Sequence, residues 1–192
     1  MNIIKTAIED VRIIEPDVFG DARGYFFESW NQGKFRDLGI DCSFIQDNES
    51  KSRFGVLRGL HFQAPPYTQA KLVRVIQGSV LDVALDIRTD SPTFGKHVAV
   101  ELSSENKRQL FIPRGFAHGF VVLSESVIFA YKCDNFYKPS HERGVMFNDP
   151  ALGIDWKVKV DSFILSGKDT KNPLFKDAEF FTSKEYMQCA SC

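Results

Sequence analysis

The segment SVLDVALDIR, residues 79–88, alternates large apolar side chains with polar or small ones at a period of two. Its apolar positions are Leu81, Val83, Leu85 and Ile87, and the positions between them are Asp82, Ala84, Asp86 and Arg88. Successive side chains of an extended chain point to opposite faces. The segment therefore predicts an antiparallel strand with one face buried and the other in solvent.

The flanking segments repeat this alternation at short intervals. Before a turn at 77–78, alternate residues from Lys71 to Val75 share one face, and after a turn at 91–95 alternate residues from Val98 to Leu102 do the same. Further short strands are predicted at 110–112, 116–123 and 127–133, each bounded by turn residues. Many short strands separated by turns predict an all-β antiparallel sandwich or barrel.

Helical patterns are few, and no feature divides the chain. Residues 31–38, closed by Gly39, predict a short helix with a glycine C-cap, and residues 182–187 predict a second. The sequence contains no internal repeat, low-complexity segment or linker. We therefore expect residues 1–192 to form a single domain, in which the tail after about residue 170 carries no motif.

The charge balance excludes several classes of function. The chain has 24 Lys and Arg against 25 Asp and Glu, so it lacks the basic surplus of nucleic-acid or membrane-surface binders. Its longest stretch without a charged residue, 59–70, is too short to span a membrane, and residues 1–10 show no secretory hydrophobic region. A cytoplasmic protein is expected, with 13% aromatic residues that favour strands and large buried faces.

The four cysteines do not form a disulfide framework. Cys42 and Cys133 are isolated in a chain that is large enough to fold without disulfide bonds. Cys189 and Cys192 formally make a CxxC motif, but no predicted strand precedes it and no helix follows it. We interpret this end as a solvated tail rather than a redox or zinc site.

Two histidines are candidates for chemistry. His61 lies in RGLHFQ, residues 58–63, with Arg58 three residues before it and Lys71 ten after it across a proline-containing loop. His118 lies in PRGFAHG, residues 113–119, whose PxGxxH spacing resembles the second motif of the cupin superfamily, in which the histidine points into a β-barrel. The strand pattern and this motif together predict a cupin-type jelly-roll barrel or sandwich with a few short helices.

A metal site is not expected in this barrel. Metal-binding cupins supply an HxH pair and a glutamate at the first motif, whereas this chain has Gln63 two residues after His61 and no acid before Asp82. Catalytic zinc and iron sites usually keep three protein ligands. Two imidazoles alone predict a metal-free interior.

Nine segments, taken together and in order, resemble the dTDP-4-dehydrorhamnose 3,5-epimerase family. They are DARGYFFE (21–28), QDN (46–48), VLRGLHFQ (56–63), KLV (71–73), IPRGFAHGF (112–120), YK with HERG (131–132 and 141–144), NDP (148–150) and LSGKD (165–169). The match covers nearly the whole chain, and the combination is far more specific than any one segment.

The resemblance implies inversion of C5 and C3 of a dTDP-4-keto-6-deoxyhexose, both carbons being α to the C4 ketone. It makes His61 the base, Tyr131 the proton donor, Lys71 the cation at the enolate oxygen and Asp169 the carboxylate that orients His61. We expect Asp169 to hold the Nδ1 proton so that Nε2 faces the substrate. No cofactor is expected, because the ketone already acidifies both carbons and the sequence lacks dinucleotide and P-loop motifs.

The resemblance also implies a substrate-binding set. Arginines and lysines would bind the diphosphate, His118 would donate to a ring hydroxyl or phosphate, and Phe26 and Tyr137 would stack on thymine. The set is Arg23, Phe26, Glu28, Gln46, Asp47, Asn48, Arg58, Lys71, His118, Tyr137, Glu142 and Lys168. Members of the family form homodimers that exchange strands, so a homodimer is expected here.

Three alternatives remain open at the level of sequence. The same residues would serve an epimerase that inverts only C3 or only C5, or one that acts on another nucleotide sugar. A metal-dependent cupin enzyme and a non-catalytic sugar-binding barrel are the other two. Tyr131 also shares its strand face with Phe129 and Cys133, which is the pattern of a core tyrosine.

Overall fold

Thirteen short strands and two short helices form in residues 1–188, the part of the chain that the computed structural model describes. The strands are β1 (Asn2–Lys5), β2 (Arg12–Glu15), β3 (Phe19–Asp21), β4 (Gly24–Phe26), β5 (Gln46–Arg53), β6 (Leu57–Gln63), β7 (Lys71–Gln77), β8 (Ser79–Asp86), β9 (His97–Ser103), β10 (Gln109–Ile112), β11 (Phe116–Val122), β12 (Ser126–Cys133) and β13 (Glu142–Gly144). The helices are α1 (Gln32–Asp37) and α2 (Ser183–Tyr186), with 3₁₀ turns at Pro139–His141, Val160–Ser162, Asp169–Lys171 and Phe175–Asp177.

The strands form two antiparallel sheets and a separate hairpin. One sheet has the order β1-β2-β10-β7-β12-β5, the other has the order β13-β6-β11-β8-β9, and β3 pairs only with β4. Side chains of both sheets meet in one apolar cluster that includes Val73, Phe129, Ala84 and Phe120. This packing confirms the predicted all-β, cupin-type sandwich.

Both faces of β8 are buried, which corrects the expectation of a half-exposed strand. Leu81, Val83 and Leu85 pack on the outer side of the sheet, against a cluster built largely from the chain after residue 144. Asp82 lies on the opposite face with Ala84, and its side chain is fully buried. The period of two was predicted correctly, but the polar face is the barrel interior rather than the solvent face.

The predicted helices and most predicted strands are confirmed. The side chain of Asn31 accepts a hydrogen bond from the backbone of Lys34 at the start of α1, and Gly39 adopts a φ of 77° just after its end. At α2, Thr182 and Glu185 form a reciprocal capping box. The CxxC motif of Cys189 and Cys192 lies outside the described residues, and the extent of the single domain stays a prediction.

The strand β5 was not expected, because residues 46–51 are a polar run. It pairs along its whole length with β12 at the edge of its sheet, and exposed and half-buried residues alternate along most of it. A polar strand is stable here because one of its faces borders a polar cavity. No helix among residues 1–188 is long and apolar enough to cross a membrane.

Candidate active site

A cavity of about 680 Å³, called the main cavity below, opens between the two sheets. Residues of β5, β6, β7, β11, β12 and β13 line it, together with the segment 164–169. Eleven of the predicted site residues are among them: Gln46, Asn48, Arg58, His61, Lys71, His118, Tyr131, Tyr137, Glu142, Lys168 and Asp169. Segments far apart in the sequence thus converge on one site.

A carboxylate–imidazole pair stands at one wall of this cavity. Nε2 of His61, on β6, lies 2.6 Å from Oδ1 of Asp169, and the hydroxyl of Ser166 donates to Oδ2 of the same carboxylate at 2.7 Å. Burial alone would raise the pKa of Asp169, but the hydrogen bonds from His61 and Ser166 outweigh it and hold that pKa below its ordinary value. The pairing was predicted, but the nitrogen was wrong: Nε2 faces Asp169, which leaves Nδ1 for the cavity.

Lys71 lies on the opposite sheet, at the start of β7. It pairs in register with Cys133 on β12, and its ammonium has no hydrogen-bond partner among residues 1–188. Burial lowers the pKa of Lys71, and the negative charges of Asp82 and Glu142 only partly offset this effect. A poorly solvated cation facing a cavity can stabilise a negative charge that develops there.

Tyr131 stands on the same sheet as Lys71. It lies on β12 between Asn48 of β5 and Val73 of β7, and its ring centroid is 6.1 Å from that of Phe129. Its hydroxyl has no hydrogen-bond partner within residues 1–188, and burial raises the pKa of the phenol. A half-buried phenol that borders the cavity remains protonated at neutral pH and can donate a proton.

Sequence reasoning did not identify the buried partner of His118. Nε2 of His118 lies 3.0 Å from both carboxylate oxygens of Asp82, and the two residues are 7% and 0% exposed. Desolvation lowers the pKa of the imidazole against the opposing effect of Asp82. The alternation in β8 could have suggested Asp82 once its polar face was known to be the interior.

A network of polar side chains forms the rim of the cavity. The ammonium of Lys168 and the hydroxyl of Tyr137 both donate to Oε2 of Glu142, at 2.8 and 3.0 Å. Burial would raise the pKa of Glu142, but these two hydrogen bonds lower it below its ordinary value. The backbone N–H of Tyr137 donates to Oε1 of Gln46 at 3.1 Å, and Gln46 donates to Asn48 at 3.0 Å.

Two glycines allow the strands that carry Arg58, His61 and His118 to approach closely. Gly59 adopts a φ of 131°, and a Cβ on it would stand 2.5 Å from the Cα of Gly119 on the neighbouring strand. Any side chain at Gly59 would therefore push β6 away from β11. The glycines of the RGLH and AHG motifs are therefore needed for the close packing of these two strands, while the histidines of the same motifs supply chemical groups.

Four predicted substrate-binding residues do not line the main cavity. The guanidinium of Arg23 pairs with Asp21 at 2.5 Å on the hairpin β3–β4, where the side chain is 89% exposed and the nearby Phe26 is 66% exposed. Glu28 accepts hydrogen bonds from Asn31 and Lys34. Asp47 pairs with Lys132 at 2.8 Å beside a smaller cavity.

Several lining residues were missed by the sequence analysis. Gln63 bridges the backbone oxygens of Tyr67 and Phe136 at 2.6 and 3.2 Å, which holds two loops at the rim. Phe120, Phe129 and Cys133 supply apolar and thiol surface, and burial raises the pKa of the Cys133 thiol to about 11. Apolar lining residues are indistinguishable from core residues in a sequence, so no pattern could have identified them.

Among residues 1–188, no group of three or more His, Cys, Asp or Glu side chains is arranged to hold a metal ion. The main cavity instead combines an imidazole bound to a carboxylate, a phenol and an ammonium. Such a set suits proton transfer at a carbon next to a carbonyl. Fold and site together define an acid–base enzyme of the cupin class.

Comparison with known proteins identifies the family. A family model described as dTDP-4-dehydrorhamnose 3,5-epimerase matches residues 5–177. The dTDP-4-dehydrorhamnose 3,5-epimerase of Shigella flexneri is 56% identical over 182 residues, which cover 94% of this chain and 99% of that protein. The chain therefore belongs to the dTDP-4-dehydrorhamnose 3,5-epimerase family and is an isomerase, as predicted.

Two solved structures extend this comparison. A dTDP-6-deoxy-D-glucose-3,5-epimerase from Legionella pneumophila, in complex with dTDP-4-keto-L-rhamnose, has a TM-score of 0.91 and 49% identity, covering 94% of this chain and 97% of that one. A 3′-monoepimerase from Streptomyces bikiniensis, in complex with dTDP-quinovose, has a TM-score of 0.89 and 31% identity, covering 96% and 95%. The same fold therefore carries both double and single epimerases.

Proposed function

We propose that this protein converts dTDP-4-keto-6-deoxy-D-glucose to dTDP-4-keto-L-rhamnose by removing and returning protons at C3 and C5 without a cofactor. The observation that carries the proposal is the 2.6 Å bond between His61 and Asp169 in a cavity shared with Lys71 and Tyr131. The 49% identical enzyme in complex with dTDP-4-keto-L-rhamnose supports this choice of substrate.

His61 is the proposed base. Imidazole ordinarily titrates near neutral pH, so it can accept a proton and return it, which contributes about 10²- to 10⁴-fold to a rate. Because Nε2 is bound to Asp169, the proton is received at Nδ1. Asp169 then stabilises the imidazolium that forms and keeps the ring in place.

Lys71 is the proposed electrostatic stabiliser. Removal of a proton next to the C4 ketone places negative charge on the ketone oxygen, giving an enolate. An ammonium with little competing solvation can stabilise such an oxyanion by roughly 3 to 4 kcal/mol. The absence of a hydrogen-bond partner for Lys71 among residues 1–188 supports this role.

Tyr131 is the proposed acid. Inversion requires that the new proton arrive on the ring face opposite to the one that was deprotonated. His61 stands on β6 of the five-stranded sheet and Tyr131 on β12 of the six-stranded sheet, so a ring held between the sheets would have the two groups on opposite sides. This arrangement favours the acid role over that of a core tyrosine.

The nucleotide is proposed to lie along the rim. Arg58 and Lys168 supply positive charge for the diphosphate, Tyr137 supplies a stacking surface for thymine, and Gln46, Asn48 and Glu142 supply hydrogen-bonding groups. Lys168 would exchange its contact with Glu142 for a phosphate oxygen. Each of these groups borders the main cavity, which supports the proposed path.

We further propose a homodimer in which the hairpin β3–β4 of one copy completes the site of the other. Arg23, Phe26, Glu28 and Asp47 lie outside the main cavity of their own chain. Phe19, Tyr25 and Phe26 are all exposed on this small hairpin, an unfavourable arrangement that a second copy would relieve. A cytoplasmic role in dTDP-L-rhamnose synthesis for lipopolysaccharide or another surface polysaccharide completes the proposal.

The test of the reaction is NMR of dTDP-4-keto-6-deoxyglucose incubated with the purified protein in deuterated buffer. Deuterium at both C3 and C5, with product of inverted configuration, is the expected result. The 3′-monoepimerase with a TM-score of 0.89 favours one alternative, in which a single carbon exchanges. Deuterium at one carbon alone would establish that alternative, and deuterium at neither would refute both.

A further inference from the structure

A second carboxylate–imidazole pair lies in the barrel beside the first. Asp82 contacts His118 through both carboxylate oxygens at 3.0 Å. His118 is also the register partner of His61 in the β6–β11 ladder, so the two imidazoles stand on neighbouring strands of one sheet. The proposed proton transfers use the His61 pair and Tyr131, which leaves the second carboxylate–imidazole pair without a part in them.

The position of Asp82 is unfavourable unless its partner compensates it. The carboxylate is fully buried, and Val80 and Ala84, two residues away on either side, belong to the apolar interior cluster. Burying a carboxylate that lacks hydrogen bonds is strongly unfavourable. Among residues 1–188, the side chain that hydrogen-bonds to Asp82 is His118 alone.

This contact determines which nitrogen of His118 carries the hydrogen. Both oxygens of the Asp82 carboxylate lie 3.0 Å from this one nitrogen, a geometry that points to Nε2 as the donor and the carboxylate as the acceptor. Desolvation lowers the pKa of His118, which keeps the ring neutral and leaves Nδ1 as a bare acceptor. Nδ1 has no hydrogen-bond partner in the described part of the chain, although His118 is 7% exposed and borders the main cavity.

We propose that Asp82 is a positioning residue, which holds His118 in the Nε2–H tautomer so that Nδ1 accepts a hydrogen bond from a hydroxyl group of the bound keto-sugar. The proposal rests on the proposed function, because the sugar is the occupant that function gives the cavity. On this proposal His118 accepts a hydrogen bond from the sugar, whereas the sequence analysis expects it to donate one. A ligand group at Nδ1 has to be a donor, which admits a sugar hydroxyl and excludes an ionised phosphate.

The tautomer can be measured without any substrate. Two-bond ¹H–¹⁵N correlation spectra of the ¹⁵N-histidine-labelled protein distinguish the Nε2–H from the Nδ1–H form of each ring, and His118→Phe identifies the signal. The wild-type protein is expected to show His118 as Nε2–H, and Asp82→Asn to shift it toward Nδ1–H. A wild-type His118 in the Nδ1–H or doubly protonated form would overturn the proposal, and this part of the test does not depend on whether Asp82→Asn folds.

Kinetics then test whether Asp82 acts through His118. We expect Asp82→Asn to lower kcat/KM on the order of 10- to 100-fold, the usual effect of losing one buried hydrogen bond. In a His118→Phe background, Asp82→Asn should cause no further loss, because residues that act as a unit are not additive. Wild-type kcat/KM in Asp82→Asn, or losses that multiply in the double variant, would overturn the proposal.

Asp86→Asn is the matched control. Asp86 is on the same strand, on the same face and equally buried, but its carboxylate binds Arg88 rather than a residue that lines the main cavity. Replacing its carboxylate by an amide should lower the stability of the protein and leave kcat/KM unchanged at a temperature where the protein stays folded. If the wild-type protein exchanges no deuterium into the keto-sugar, the proposed function fails, while the NMR spectra still decide the tautomer.

Discussion

Asp169 and His61, 108 residues apart in the sequence, are joined by a 2.6 Å hydrogen bond between Oδ1 and Nε2. We predict that Asp169→Asn, in which an amide replaces the carboxylate, lowers kcat about 10²- to 10⁴-fold, because the imidazolium loses its counter-charge and its fixed orientation. Steady-state kinetics with the keto-sugar would measure this. Asp155→Asn, at an exposed carboxylate outside the cavity, is the control and should retain full activity.

The pKa of Lys71 leads to a prediction about how kcat depends on pH. Because the pKa of Lys71 lies below the ordinary 10.5, its ammonium is lost at a lower pH than that of a solvated lysine, and kcat should fall on the alkaline side accordingly. In Lys71→Arg this fall in kcat should shift to higher pH, since a guanidinium stays protonated. An unchanged pH profile in Lys71→Arg would contradict the role.

The size of the Lys71 effect can be separated from folding. Lys71→Met should lower kcat about 10²- to 10³-fold, as expected for the loss of one group that stabilises an oxyanion. Its Tm should stay the same or rise, because a desolvated cation is replaced by an apolar side chain of similar length. A large drop in Tm would make Lys71 a structural residue.

Tyr131 can be tested by separating exchange from inversion. In Tyr131→Phe the base remains, so protons next to the ketone should still exchange with deuterated solvent, but they should return to the face they left. NMR should therefore find deuterium in the recovered substrate and little inverted product. Tyr67→Phe, at a tyrosine outside the main cavity, should behave as wild type. Full inversion by Tyr131→Phe would require another acid.

Much of this site could be predicted from the sequence, because its segments resemble those of the epimerase family and the resemblance implies both the site residues and their roles. The pairing of His61 with Asp169 was predicted, but its nitrogen was not, since ring orientation depends on how the segment 164–169 packs against β6. Asp82 was missed for a related reason. A period of two distinguishes the faces of a strand but does not show whether the polar face borders solvent or a polar interior.

The buried pair of Asp86 and Arg88 predicts how stability depends on pH. Burial would raise the pKa of Asp86, but hydrogen bonds from Arg88, Ser91 and Thr93 hold it below the ordinary 3.8. A pKa that is lower in the folded state contributes stability above the unfolded value, and this contribution is lost as the pH falls through 3.8 toward the folded value.

Urea unfolding of Asp86→Asn and the wild type would measure this contribution. At neutral pH the variant should be less stable by about 3 kcal/mol, because it leaves the partly buried Arg88 without its main counter-charge. The difference should shrink as the pH falls below about 4. A difference that stays constant with pH would mean that Asp86 stabilises the protein through the hydrogen bonds that its two oxygens accept rather than through its charge.

The shared site of the proposed homodimer can be tested by complementation. His61→Ala removes the base, and the double variant Arg23→Ala/Phe26→Ala alters only the hairpin β3–β4. If the hairpin serves the site of the other copy, a mixed dimer of these two chains contains one intact site. In that site His61 comes from the chain with the altered hairpin, and the unaltered hairpin comes from the His61→Ala chain. Equal co-expression gives half mixed dimers, so about a quarter of wild-type activity should return.

Differently tagged chains allow the mixed dimer to be isolated before assay. Each variant expressed alone should have little activity, which sets the baseline for the recovery. If the hairpin served its own chain, both sites of the mixed dimer would carry a defect and no activity would return. A monomer in sedimentation experiments would refute the homodimer itself, and would require Arg23 and Phe26 to reach the main cavity by rearrangement within one chain.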